Sequence, residues 1–236
     1  MIASIGSFFF RYREAFFPFA FLLVFLPGPR IFADPLVAAA AGFAITFLGQ
    51  LVRILTIGLR YIIRGGRNRR VYAEDLVTDG LFAHCRNPMY VGNLLILVGF
   101  AVASNSWTCV SVAIPFFTFV YVAIVAAEEL YLREKFGEGF ATYTRRVPRW
   151  IPRLQGMQAT LAESQFHWRR VLVKEYGTMC GWIIGICVVT LWHLWQAELI
   201  GERARAVEAM FVVIGVTAVF WVVIRVIKKR HTLVSD

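Results

Sequence analysis

The stretch of this chain richest in reactive side chains joins a polar loop to an apolar run, and reads GLFAHCRNPMYVG over residues 80–92. Asn is favoured just before a helix and Pro at its first position, so Asn87 and Pro88 predict a helix start. A helix start carries free N–H groups and a positive partial charge, and Arg86 adds a planar fork of donors. The stretch is either a purely structural helix start or a place where an anionic group binds.

Two adjacent carboxylates, Glu128 and Glu129, end the fourth apolar run of the chain. They oppose the negative partial charge of a helix C-terminus and border a low-dielectric region, which is costly without a cation. Either they are solvated or paired with Arg133 or Lys135, or they hold a cationic ligand. If an amine or a hydroxyl has to lose a proton here, Glu128 or Glu129 is the best-placed base.

Apolar residues stand close to these charged groups. Leu76 and Val77 precede a turn at Gly80 and are placed to cover a flat ring, and Tyr90 lies on the first turn of the predicted helix. An anion-binding helix start, a carboxylate pair and an apolar cover together suit a zwitterionic ligand with a flat base. S-adenosylmethionine is one such ligand.

The elements that must position these groups follow from composition. Of 236 residues, 58% are hydrophobic and 17% are charged, where a soluble domain has about 25% charged residues. The apolar residues come in blocks separated by basic loops, which predicts an all-α, polytopic integral membrane bundle. The net charge of +10 follows from those loops, and we therefore expect no nucleic-acid partner.

A helix needs about 20 apolar residues to cross a bilayer, and about six candidate spans are present. They cover residues 14–29, 35–59, 88–104, 107–127, 177–196 and 207–227. Of the 25 lysines and arginines, 21 fall on one side of these spans, three fall on the other and Arg53 lies within the second span. This imbalance places both termini in the cytoplasm. The loops at 60–88 and 128–176 then meet at one cytoplasmic end of a tight hairpin.

The four cysteines form no C-x-x-C pair, so neither a disulfide framework nor a metal site is expected. Residues 136–152 combine aromatics, arginines and two prolines, which predicts a helix on the membrane surface followed by an extended exit.

The ordered motifs resemble those of the isoprenylcysteine carboxyl methyltransferase and phospholipid N-methyltransferase family. The shared pieces are LVxxG at 76–80, RNPxYxG at 86–92, EExxL at 128–132 and FGxxFxxYxxxVPxxIP at 136–152. The resemblance covers roughly residues 72–154. It implies a helical membrane enzyme that uses S-adenosylmethionine from the cytosol and a lipidic acceptor that enters from the bilayer.

The resemblance also implies roles for individual residues. It assigns the glutamate pair to the cofactor and the reaction centre, and it assigns the following residues to the cofactor site: Leu76, Val77, Gly80, Arg86, Asn87, Pro88 and Tyr90. This chain departs from the family pattern at three positions. Asn87 stands where the family usually has His, Glu74 stands where it frequently has His, and Ile124 stands where it frequently has Arg. The absence of Arg at position 124 argues against methylation of a prenylcysteine carboxylate. His84 lies near Asn87 in the sequence and is a candidate to replace the family's histidine.

The sequence therefore predicts a membrane methyltransferase that modifies oxygen or nitrogen of a lipidic or membrane-embedded small acceptor. The alternatives are an NADPH-dependent membrane reductase of the sterol or steroid type and a non-catalytic membrane scaffold. Residues 1–71 are expected to form N-terminal membrane helices, residues 72–154 the methyltransferase core and residues 155–236 a C-terminal hairpin. We expect a bacterial inner membrane, with the active site facing the cytoplasm; neither the acceptor nor the oligomeric state follows from the sequence.

Overall fold

The structure is a computed structural model that describes residues 2–60 and 71–230, with all side chains in those ranges except those of residues 14–21. These residues form α-helices and two short 3-10 helices, at Phe21–Phe25 and Gly80–Ala83. The α-helices are α1 (Ile2–Ala20), α2 (Pro35–Leu59), α3 (Pro88–Ala103), α4 (Trp107–Arg146), α5 (Met157–Glu163), α6 (Trp168–Gln196) and α7 (Ala204–Lys229). Four arginines counted in the charge imbalance, at positions 64, 67, 69 and 70, lie outside the described residues.

The prediction of an all-α, polytopic membrane protein is confirmed, but the count of about six spans is too high. Four of the described helices, α2, α4, α6 and α7, are long and apolar enough to cross a membrane. Helix α3 has only 16 residues, or about 24 Å, against a hydrocarbon core of about 30 Å. The predicted first span at 14–29 covers only the end of α1 and a 3-10 helix, and α1 carries Arg11 and Arg13 within its length.

Helix α2 begins and packs as its sequence dictates. The Asp34 side chain accepts a hydrogen bond from the Leu36 N–H at 2.9 Å, and Pro35 takes the first helical position. Along its length, small residues allow α3 to approach closely: a Cβ on Gly49 would lie 2.6 Å from the Gly92 carbonyl oxygen. A Cβ added to Gly92 would lie 2.6 Å from Cγ of Arg53, which is too close. Gly92 therefore allows α2 and α3 to pack closely.

Helices α3 and α4 form the predicted hairpin around the turn at residues 104–106. Asn105 adopts a left-handed backbone with φ of 48°, and its side chain accepts hydrogen bonds from the N–H groups of Ile31 and Phe32. The turn is thereby tied to the segment that leads into α2. The hairpin consequently holds the start of α3 beside the far half of α4.

Helix α4 runs 40 residues and contains one non-helical residue, Gly137, at φ 51° and ψ −122°. After this kink the helix turns Phe140 and Tyr143 inward, where both are buried with Val147 and packed against Leu76. The sequence predicted a surface segment here. These aromatics are instead part of the protein interior, because the kink redirects one helical face onto the loop before α3.

The remaining helices flank this hairpin. Helix α1 packs on α4, α6 packs on α2 and α7 packs on α6. Helix α7 buries only Val207, Thr217 and Ile224, so most of its apolar surface faces outward, as expected for a helix in contact with lipid.

Candidate active site

A cavity of about 670 Å³ opens between α1, α2, α3 and α4, beneath the segment 71–77. Seven of the nine predicted site residues line it: Leu76, Val77, Arg86, Asn87, Tyr90, Glu128 and Glu129. The two others, Gly80 and Pro88, do not line it and shape the backbone instead. Gly80 has φ of 58°, which favours glycine, and Pro88 is the first residue of α3.

The start of α3 is held in place by the chain that follows α4. The Arg86 N–H donates to the Pro148 carbonyl at 2.9 Å, and the Arg153 N–H donates to the His84 carbonyl at 2.9 Å. The Asn87 side chain donates to the Arg149 carbonyl at 3.1 Å and makes no hydrogen bond to the helix start. Asn87 therefore joins two segments of the site rather than capping α3 with its side chain.

His84 points away from the cavity. Its Nδ1 lies 2.8 Å from the Arg153 carbonyl oxygen and its Nε2 lies 2.8 Å from the Thr160 hydroxyl. The ring is buried between the loop and α5, with both nitrogens engaged. His84 thus does not replace the family's histidine within the cavity.

Glu129 is the centre of an ion-pair cluster. It accepts hydrogen bonds from Arg86 Nη1 at 2.8 Å and from Arg149 Nε at 3.0 Å, and it also pairs with Arg149 Nη2. The Arg86 Nε is buried and has no hydrogen-bond partner among the described residues. Arg86 lines the cavity, so its guanidinium group is placed to meet a ligand carboxylate.

Glu128 has a different environment. It accepts a hydrogen bond from the Tyr90 hydroxyl at 2.6 Å, and Tyr90 packs against the Tyr121 ring with centroids 5.3 Å apart. Ile124, one turn earlier on α4, is buried and lines the same wall. Glu128 thus faces the part of the cavity between α1, α3 and α4.

Apolar residues close the opposite wall. Leu76, Val77, Leu132 and Phe140 line the cavity together, and the Tyr143 hydroxyl donates to the Phe82 carbonyl at 2.7 Å. The Lys135 ammonium donates to the carbonyl groups of Ala73 and Glu74, which holds the covering segment against α4. The wall is apolar and can contact an aromatic base.

A buried polar network borders the cavity, and its acidic member, Glu175, was not identified from the sequence. Arg53 lines the cavity and forms two hydrogen bonds of 2.7 Å with Glu175 of α6, a residue only 1% exposed. Gln50 donates to Glu175 at 3.1 Å and accepts from the Trp182 indole at 3.0 Å. Intramembrane charge was the available signal, because Arg53 lay within a predicted span and required a partner.

The fold and this site define a polytopic α-helical membrane protein with a half-enclosed, mixed polar and apolar cavity. The family model described as phospholipid methyltransferase matches residues 31–139. Relatives named as protein-S-isoprenylcysteine O-methyltransferases match as well. This part of the chain is therefore similar to the isoprenylcysteine carboxyl methyltransferase and phospholipid methyltransferase family, the resemblance that the motifs indicated.

Three relatives illustrate the similarity. The chain is 36% identical over 111 residues to the cobalt-zinc-cadmium resistance protein CzcN of Cupriavidus metallidurans, covering 45% of this chain and 49% of the relative. It is 30% identical over 133 residues to the nickel-cobalt-cadmium resistance protein NccN of Alcaligenes xylosoxydans xylosoxydans, covering 56% and 60%. It is 31% identical over 115 residues to protein-S-isoprenylcysteine O-methyltransferase B of Arabidopsis thaliana, covering 47% and 57%.

The chain thus spans about half to three fifths of the length of these curated relatives. No solved structure matches it significantly. Within residues 2–60 and 71–230, no group of three or more His, Cys, Asp or Glu residues is arranged to hold a metal ion.

Proposed function

We propose that this protein is an integral membrane, S-adenosylmethionine-dependent methyltransferase that methylates oxygen or nitrogen of a lipidic or membrane-embedded small acceptor. The observation that carries the proposal is one cavity lined by Arg86, by the Glu128–Glu129 pair and by the apolar wall around Leu76. In this proposal, residues 72–154 are the methyltransferase core, flanked by N-terminal helices over 1–71 and a C-terminal hairpin over 155–236.

The residues present fit the proposed cofactor. The Arg86 guanidinium is the donor for the cofactor carboxylate, and Glu129, which also pairs with Arg149, holds it in position. Leu76, Val77 and Phe140 form the surface against which the adenine packs. When bound, S-adenosylmethionine supplies an electrophilic methyl group on a sulfonium.

Glu128 is the residue proposed to act on the acceptor. An amine or hydroxyl acceptor must lose a proton as it is methylated, and a carboxylate within the cavity provides a base for that proton. The Tyr90 hydroxyl holds the Glu128 Oε1 at 2.6 Å, so the carboxylate has a defined orientation.

The acceptor is proposed to come from the membrane, and the cavity is proposed to face the cytoplasm of a bacterial inner membrane. The excess of basic residues at the loops around the cavity supports that orientation. Reporter fusions after Asp236 and within the loop at residues 198–203 test it. Cytoplasmic activity of the first fusion and periplasmic activity of the second are expected; the reverse pattern contradicts the orientation.

The first test is calorimetric titration of the detergent-purified protein with S-adenosylhomocysteine, and with NADPH in parallel. We expect micromolar affinity for S-adenosylhomocysteine, lost in Arg86→Ala and Glu129→Ala. Arg145→Ala is the matched control, because Arg145 is exposed and does not line the cavity. Binding of NADPH alone, or of neither ligand by folded protein, would refute the methyltransferase proposal.

A positive titration leads to a screen for the acceptor. Membrane lipid extracts are incubated with the protein and a methyl-labelled donor, and labelled products are separated by chromatography. Transfer of label into a chloroform-soluble product is expected. Label that remains only in water-soluble products contradicts a lipidic acceptor.

A further inference from the structure

Four arginines line the described wall of the cavity, and their charges are not equally compensated. Three of them have a carboxylate partner: Arg53 with Glu175 at 2.7 Å, Arg60 with Asp79 at 3.2 Å and Arg86 with Glu129 at 2.8 Å. The fourth, Arg13 of α1, has no carboxylate partner within the part of the chain that the structure describes; its guanidinium lies 4.4 Å from the Phe10 ring centroid.

Arg13 is held at the cavity by the packing of α1 on α4. A Cβ on Gly6 would lie 1.8 Å from the Ala123 carbonyl oxygen, so the two helices touch backbone to backbone. One turn later, Phe10 is 3% exposed and packs with Tyr121 and Ile124. Arg13 follows Phe10 by three residues and therefore projects from the same face of α1.

Arg13 and Arg86 serve different parts of the cavity. Arg13 lies one turn after Phe10, which packs in a cluster with Tyr121 and Tyr90, and Tyr90 in turn binds Glu128. Arg86 instead pairs with Glu129, beside the apolar wall proposed for the adenine. An anion bound by Arg13 would thus lie near the carboxylate proposed to act on the acceptor.

A guanidinium that forms no close ion pair among the described residues, and that lines a partly enclosed cavity, is placed to attract an anionic oxygen group; its planar fork suits a carboxylate or a phosphate. We propose that Arg13 is a specificity-determining residue that binds an anionic group at the head of the apolar methyl acceptor. The inference rests on the proposed function. Helix α1 lies outside the residues that match the family.

The test compares two probes that differ only in the charge of the head: N-acetyl-S-farnesyl-L-cysteine and its neutral carboxamide. Their affinities are measured by calorimetry on the full-length protein in nanodiscs, with S-adenosylhomocysteine titrated separately. The variants are Arg13→Gln, Arg13→Lys and Arg11→Gln. Arg11→Gln removes the same charge from the same helix, but Arg11 is exposed and does not line the cavity.

The wild type is expected to bind the carboxylate at least about tenfold more tightly than the carboxamide, as for one charge-assisted contact. Arg13→Gln should abolish this preference, Arg13→Lys should retain part of it and Arg11→Gln should retain all of it. S-adenosylhomocysteine affinity should remain within about twofold of the wild type in every variant. This change is small compared with the roughly tenfold preference expected between the two probes.

Three results would overturn the inference. In the first, the wild type shows no preference for the carboxylate, which includes the case where it binds neither probe. In the second, Arg13→Gln keeps the preference. In the third, Arg13→Gln weakens the binding of S-adenosylhomocysteine as strongly as it weakens the binding of the carboxylate probe. The last result would assign Arg13 to the methyl donor's carboxylate. Failure of the proposed function is recognised separately, as absence of S-adenosylhomocysteine binding in the wild type.

Discussion

Adjacent residues Glu128 and Glu129 have different environments, although the sequence makes them a pair. Successive residues on a helix point about 100° apart, so one carboxylate meets Arg86 and Arg149 while the other meets Tyr90. Glu129 is neutralised by two guanidinium groups, and Glu128 has a hydroxyl partner. This geometry is the basis for the two proposed roles: Glu129 positions Arg86, and Glu128 takes up the proton of the acceptor.

Glu128→Gln is expected to reduce turnover by about 100-fold or more if Glu128 acts as the base, because an amide cannot take up the proton. S-adenosylhomocysteine affinity should change little. The measurement is label transfer to the acceptor found in the lipid screen, with Glu134→Gln as the control at an exposed position of α4. Full turnover in Glu128→Gln would exclude the proposed role.

Cys85 lies directly before Arg86, and its reactivity reports on how well this loop is packed. Burial raises the pKa of the Cys85 thiol, although the Asn87 backbone and the Arg86 charge oppose the shift. Its Sγ also contacts the carbonyl oxygens of Arg149 and Trp150. The thiol is therefore held protonated and covered at neutral pH.

We expect Cys85 to resist alkylation by iodoacetamide at pH 7 and to react faster only as the pH rises towards its elevated pKa, because the thiolate is the nucleophile. Mass spectrometry of peptides from native protein measures this. The same protein unfolded in dodecyl sulfate is the control and should be alkylated readily. Rapid labelling of native protein at pH 7 would mean that the loop is open.

At the scale of elements, the kink in α4 changes the direction of the helix just before the residues of the apolar wall. A straight helix beyond residue 137 would carry Phe140 and Tyr143 along a different line, away from Leu76 and Phe82. Gly137 has a positive φ that side-chain-bearing residues rarely adopt. The glycine therefore closes the apolar wall by its backbone conformation alone.

Gly137→Ala is expected to strain the kink by about 1 kcal/mol or more and to weaken S-adenosylhomocysteine binding by displacing the wall. Gly139→Ala is a close control: neither position has an atom within 4 Å of an added Cβ, but Gly139 shows no positive φ. The control should be neutral or slightly stabilising. Equal behaviour of both variants in calorimetry and thermal unfolding would contradict a role for the kink.

At the scale of the whole molecule, the C-terminal helices are connected to the cavity through a buried charge pair. Glu175 of α6 holds Arg53 of α2, and Arg53 also contacts Asn93 of α3. The side chains of Arg53 and Glu175 are 7% and 2% exposed. A segment outside the family match thus contributes to the orientation of a cavity-lining residue.

Glu175→Ala is expected to destabilise the protein by about 3–5 kcal/mol, because it leaves the Arg53 charge buried without its partner. The double variant Arg53→Met/Glu175→Met should recover most of that loss, since apolar residues of similar volume are tolerated at such sites. Thermal unfolding in detergent measures both. A double variant no more stable than Glu175→Ala would mean that the pair does more than neutralise charge.

The sequence by itself determined the fold class, most helix positions and the identity of the cavity's main residues. These depend on local properties: apolar block length, helix-start chemistry at Asn87 and Pro88, and motif spacing around Arg86, Glu128 and Tyr143. The bounds of α2 agree with the predicted span at 35–59, because Asp34 and Pro35 mark its start.

Only the tertiary structure decided which groups meet across long stretches of chain. Three features depend on which helices pack together and on how each helix is rotated. They are the pairing of Arg53 with Glu175, the orientation of His84 away from the cavity and the position of Arg13 on the cavity wall. Helix packing is set by close contacts such as Gly6 against Ala123, and no local pattern specifies its partner. For that reason the sequence indicated which reactive groups form the site, while the packing of α1 and α6 decided which charged residues surround them.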